Sequence, residues 1–256
     1  MSVPYRMIDI KTSDEAFKSI IIKYFDDFKK FIKVPDLQCP PINLVDKFDD
    51  LTCAHVKNGV LEVSKLYFIA LKQGAVSVLY HEFTHVYDDY MIKPLNKIEE
   101  LGLNIYTEYH ASVVQMMTAT GFNSYYKDKQ ISITSRIRDA LDDRITKDYL
   151  EKQHRLNSEL YIDTTNIGES FKNARKQMFY YIGKMYFAQK YIKEDTTELL
   201  SLETFINIFG ENVITLKDVL FLNDYSNNVL TQLAKTQDTI MCEFEDKFGI
   251  TNQPNQ

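Results

Sequence analysis

Apolar residues recur every three or four positions along several stretches of the chain, and this periodicity predicts a mostly helical protein. Phe17, Ile20, Ile21, Tyr24, Phe28 and Phe31 form the first stripe, opened by Ser13-Asp14-Glu15 and closed ahead of Pro35. Val76, Leu79, Tyr80, Phe83 and Tyr87 form a second, on a helix expected over residues 71–90. A third helix is expected over residues 98–120, ended by Gly121 in the position that suits a left-handed cap, and a turn near Pro94 would set it antiparallel to the second. Further helices are expected over residues 168–193, where Phe171, Met178, Tyr181, Met185 and Phe187 are spaced for burial, from Thr215-Leu216-Lys217-Asp218, and over residues 226–248. Residues 131–155, with Arg136, Arg138, Asp139, Asp142, Asp143, Arg144 and Lys147, predict a solvated helix, and the polar tail 251–256 predicts a frayed end.

One segment has a period of two instead. Residues 54–63 place Asn58-Gly59 between short alternating runs, which predicts a β-hairpin. Residues 34–50, with Pro35, Pro40 and Pro41, predict a loop. The expected fold is therefore mainly α with a small β-hairpin or sheet (α+β). A core over residues 1–130 would be followed by a helical region over 131–250 packed on the same core.

Composition narrows the function classes. The chain of 256 residues has only 8 Gly and 6 Pro, while 17 Tyr and 16 Phe supply a large apolar core. Its 36 acids and 30 bases leave a net charge of −6 with no basic stripe, which argues against nucleic-acid binding. Cys39, Cys53 and Cys242 are odd in number and far apart, as suits a reducing compartment. No apolar run has the length of a signal segment or a membrane span, so no membrane association and a cytoplasmic location are expected.

The candidate chemistry lies in His81-Glu82-Phe83-Thr84-His85. Two histidines four residues apart on a helix differ by about 40° around its axis and about 6 Å along it, so both imidazoles can reach one small cation. Glu82 points about 100° away from His81 and can hold a water on that cation without binding it. Catalytic zinc takes three protein ligands and leaves one position open, so a third ligand must come from elsewhere. Asp88 and Asp89 are too far along the helix to share the ion, but either can accept a hydrogen bond from His85. Glu108 is the best candidate, because it is the lone carboxylate between Leu101 and Phe122, and a bound cation would offset the cost of burying it. It shares a face with Asn104, Ala111, Ser112 and Gln115, while Glu99 and Glu100 suit the capping of that helix. His110 and His55 compete with Glu108 as third ligand.

His81-Glu82-Phe83-Thr84-His85 followed by Glu108-Tyr109-His110-Ala111 resembles the gluzincin class of zinc metallopeptidases, and most nearly the ImmA/IrrE-like group and related bacterial or phage metallopeptidases. The resemblance covers residues 50–120. It implies a zincin-like core, zinc bound by His81, His85 and Glu108, and Glu82 as general base. One position departs from the pattern: Ser112 stands where thermolysin-like members carry an aspartate four residues after the ligand glutamate.

The implied activity is hydrolysis of a peptide or protein substrate by metal-activated water. Tyr106, His110, Tyr125, Tyr126 and His154 are suitable donors for the oxyanion. The hairpin offers an edge strand on which an extended peptide can add. The alternative is a zinc-binding regulatory or interaction protein without hydrolysis, with the aromatic-rich second half as a surface for a protein partner.

Overall fold

The computed structural model describes residues 14–48, 52–91, 95–127, 129–139 and 142–250. Ser13, the turn near Pro94 and the tail 251–256 lie outside them. Helix α1 (Asp14–Ile32) carries acids in its first turn and lysines in its last, in accord with the helix dipole, and buries Phe17, Ile21, Phe25, Phe28 and Phe31. The segment expected to be a loop contains a strand, β1 (Ile42–Val45), immediately after Pro41. It pairs in parallel with a strand distant in sequence, so no local turn signal announces it.

The expected hairpin is β2 (Ala54–Lys57) and β3 (Val60–Ser64), giving a sheet of order β1-β3-β2 with β2 at an edge. Asn58 and Gly59 both have positive φ, 53° and 72°, as a two-residue hairpin turn of this hand requires. A short helix, α2 (Phe68–Lys72), then ends at Gly74, whose φ of 81° breaks the helical path. The helix expected from residue 71 therefore begins at Ser77, as α3 (Ser77–Met91).

Helix α4 (Lys97–Ala119) starts with a capping box: the Asn96 side chain accepts from the Glu99 N–H, and the Glu99 carboxylate accepts from the Asn96 N–H. Gly121 is left-handed at its end, as expected. The charged segment after it is not one solvated helix. It forms a hairpin, β4 (Arg136–Asp139) and β5 (Asp142–Ile145), before α5 (Thr146–Ser158). Ile137, fully buried, anchors that hairpin between solvated neighbours, a period of two that the charges mask.

Helices α6 (Ile167–Tyr191), α7 (Glu203–Phe209), α8 (Asn212–Phe221) and α9 (Asn227–Phe248) complete the fold. Thr215 lies inside α8 and does not cap it, because Gly210, at φ 88°, already ends α7 and lets the chain turn. The architecture is mainly helical with a small sheet, and the described residues share one hydrophobic core. No helix among them is long and apolar enough to cross a membrane.

Helix α4 sits at the centre, packed against α3, α6 and α9. Two close approaches set its neighbours. A Cβ on Gly102 would lie 1.9 Å from the Leu230 carbonyl oxygen of α9, and one on Gly183 of α6 would lie 2.6 Å from the Tyr109 carbonyl oxygen. Gly102→Ala is therefore expected to destabilise the protein by about 1–3 kcal/mol, since backbone cannot yield as a side chain does. Urea unfolding would show this as a lower midpoint at unchanged slope.

Candidate metal centre

Helix α3 is buried on nearly every side. Phe83 packs edge-on against Phe25, and Tyr80 against Phe28 and Phe31 of α1. The histidine face turns towards α4 and α6, so it is not a solvated polar face. Thr84 is fully buried and its hydroxyl donates to the Tyr80 carbonyl, which leaves no side chain between the two histidines.

His81 and His85 lie with ring centroids 5.0 Å apart, and the Nε2 atom of each is 3.8 Å from Glu108 Oε2. One donor atom from each of the three residues falls within 4.8 Å of the others. Their side chains are 6%, 18% and 24% exposed, so the group is sealed on the His81 side and open towards Glu108. Both ring nitrogens of His81 and Oε2 of Glu108 are buried without a hydrogen-bond partner. Such orphaned atoms are costly, and a shared cation is the simplest group that would satisfy one nitrogen of His81 and Oε2 of Glu108 together.

The electrostatics favour ligation. Burial, reinforced by His85 and Lys176, holds His81 well below the usual histidine value, so its imidazole is neutral with one lone pair to give. His85 Nδ1 is anchored 2.8 Å from Thr107 Oγ1, which leaves Nε2 facing Glu108. Burial raises the Glu82 carboxyl, opposed by His85 and by the Val56 N–H, which donates to Glu82 Oε2 at 2.8 Å. The carboxylate beside the histidines is thus tied to the outer edge of β2.

A cleft of about 590 Å³ opens beside the three residues. Its walls are the β2–β3 turn on one side and α6 on the other, with Glu82, His85, Thr107 and Glu108 along its floor. No protein-family model, curated protein or solved structure matches the chain. Its functional reading therefore rests on this geometry.

Of the other candidates, His55 and Asp89 line the cleft without joining the three converging residues, and the rest lie away from it. Asp88, expected to accept from His85, is fully buried and 2.9 Å from His110 Nδ1 instead. His110 bonds Tyr125 through Nε2 and lies 3.1 Å from the Tyr225 hydroxyl, while Tyr106 donates to Asn223. Together they form a buried network joining α3 and α4 to the residues between α8 and α9, and none of these residues lines the cleft. His110 and Tyr106 therefore do not stand beside the three candidate ligands, and neither does Tyr125. Asp89 is exposed on the cleft wall, Tyr126 is exposed, and His154 pairs with Tyr181 on the far side of α6. His55, the other rival ligand, pairs with Glu62 at 2.7 Å across the hairpin. Glu100 is exposed and Glu99 caps α4.

Ser112, where the resembling family has an acid, donates to the Tyr180 carbonyl and abuts Gly183. The small residues on this face of α4 thus admit α6 rather than α3, and a carboxylate there would have no room. Sequence reasoning missed Tyr180 of α6. Its ring lies edge-on to His81 with centroids 5.1 Å apart, and burial, then Glu108 and Glu82, push its hydroxyl well above the usual tyrosine value. It also missed Thr107, which anchors His85, and Lys176, whose Nζ is 3.9 Å from Glu108 Oε1. Nothing distinguished Tyr180 among 17 tyrosines before α6 was folded against α4 beside His81.

Proposed function

We propose that the chain is a zinc-dependent peptide hydrolase in which His81, His85 and Glu108 hold the metal and Glu82 is the general base. The observation that carries this reading is the convergence of His81, His85 and Glu108 on one point with orphaned donor atoms, beside a carboxylate that does not belong to the ligand set. Two neutral imidazoles and one carboxylate suit zinc, whose catalytic sites take three protein ligands and one open position. Zinc bound there would polarise the scissile carbonyl and lower the pKa of its water.

The remaining steps belong to the chain. Glu82 accepts the proton of the attacking water and passes it to the leaving amine, and its raised pKa brings it nearer to the working pH of a base. The Val56 N–H fixes the orientation of that carboxylate. The outer edge of β2 borders the cleft, and beside the Val56 N–H that Glu82 occupies an extended peptide backbone can lie along it. Tyr180, kept protonated by its buried and anionic surroundings, donates to the oxyanion. Cys39, Cys53 and Cys242 form no disulfide with one another, which fits a cytoplasmic enzyme.

The direct test is zinc analysis of the purified chain together with mass spectrometry of a peptide mixture incubated with it. About one zinc per chain and peptide cleavage suppressed by a chelator are expected. Zinc without cleavage of any peptide would leave a metal-binding regulatory protein as the better description. Tyr180→Phe removes one donor while keeping the ring against His81. It is expected to lower kcat by about 10²-fold, with zinc content unchanged. A variant with wild-type kcat would remove Tyr180 from the mechanism.

A further inference from the structure

Three cations, Lys172, Arg175 and Lys176, share one face of α6 and line the cleft. Arg175 is half-buried, and burial works against its charge while Glu108 favours it. Lys176 makes a long ion pair, 3.9 Å, with the same Glu108. One carboxylate therefore serves two basic side chains.

A divalent cation on Glu108 and two neutral imidazoles changes that balance. The lining residues Glu82, Asp89 and Glu108 offset Lys172, Arg175 and Lys176, three against three, so a bound divalent ion leaves an excess of about two positive charges. The Glu108 carboxylate is then committed to the metal, and Arg175 and Lys176 face a cation. The cleft becomes a place where an anion is stabilised.

A second observation points to where that anion goes. Arg175 also lines an adjoining chamber of about 220 Å³ between α4, α6 and α9. On its wall is Gln237, 7% exposed, with Nε2 and Oε1 both buried and without a hydrogen-bond partner. A buried amide with neither group satisfied is costly, and a ligand that accepts from Nε2 removes part of that cost. The acid among the chamber's lining residues, Asp238, is exposed, where water and salt screen it.

We propose that the cleft selects substrates bearing a carboxylate, an acidic side chain or a free C-terminus, which Lys172 and Arg175 attract and which Arg175 and Gln237 bind in the adjoining chamber. Guanidinium and amide N–H groups converging on one carboxylate give short, charge-assisted hydrogen bonds. This inference rests on the metal-site reading, because the bound cation creates the charge excess.

The test uses the zinc-loaded Glu82→Gln protein, so that binding is read without turnover. Fluorescein-labelled peptides of one length carry Glu, Gln or Lys at the same internal position, each with a free or amidated C-terminus, and affinity is measured by fluorescence anisotropy. Peptides with a carboxylate are expected to bind at least about tenfold tighter than the amidated Gln peptide. Preference for the Glu peptides identifies an acidic side chain as the recognised group, and preference for free termini identifies the terminus. Gln237→Leu and Arg175→Gln should each reduce the preference, and Lys172→Glu, at an exposed position, should weaken or invert it. Equal affinities, or a preference that survives Arg175→Gln, would overturn the inference while leaving hydrolysis standing. A protein that binds no zinc and shows no preference would overturn both readings.

Discussion

Glu82→Gln is expected to keep about one zinc per chain and to lose about 10³-fold or more in hydrolytic rate, an effect at the upper end for removal of a general base. The substitution conserves shape, and its amide oxygen can still accept from the Val56 N–H, so the tether to β2 remains. The lost property is the capacity to take a proton. Glu82 lies outside the group of three converging ligands, which is why metal content should not follow activity down. Metal analysis and steady-state kinetics on the same preparation check this. Activity within a few-fold of wild type would reject Glu82 as the base, and parallel loss of zinc would show that its carboxylate is a ligand.

Metal removal should be nearly as large an effect, on stability. Without a cation, the ligating nitrogen of His81 and Glu108 Oε2 are buried and unpaired. Free zinc at a hundred times its dissociation constant would stabilise the fold by about 2.7 kcal/mol. For a chain of this size that corresponds to roughly 5–10 °C in melting temperature. Calorimetry with zinc and with a chelator should show this difference for the native chain and none for Glu108→Ala. A native chain whose melting is indifferent to both additions would remove the metal from the reading.

The parts of this site that could be read from the sequence are those determined locally. The four-residue spacing of His81 and His85 needs only a helix to bring the rings together, and Asn58-Gly59 specifies its turn through two positive φ angles. Glu108 could be found because it is the lone carboxylate between Leu101 and Phe122, and α4 carries it to the histidines. The parts that could not be read depend on partners distant in sequence. β1 pairs in parallel with β3 across 19 residues at Asn43 and Glu62, and no turn joins them. Ile137 gave no hint of a strand among so many charges. Asp88 faces His110 rather than His85 because α4 presents a second histidine to it at 2.9 Å. The aromatic spacing of α6 correctly predicted a buried helix, yet it concealed that Tyr180 reaches His81 and that Lys172, Arg175 and Lys176 line the cleft.

The central position of α4 has one further consequence. From residue 105 to residue 119 no side chain is exposed, because α3, α6 and α9 enclose the helix. A helical segment with no outward face has no positions where substitutions accumulate neutrally. As such a protein diverges, its surface helices can drift freely, while the segment that carries Glu108 changes only together with its neighbours. The metal centre is therefore not a portable cassette: transplanting α3 and α4 into another scaffold would also require α6 and α9.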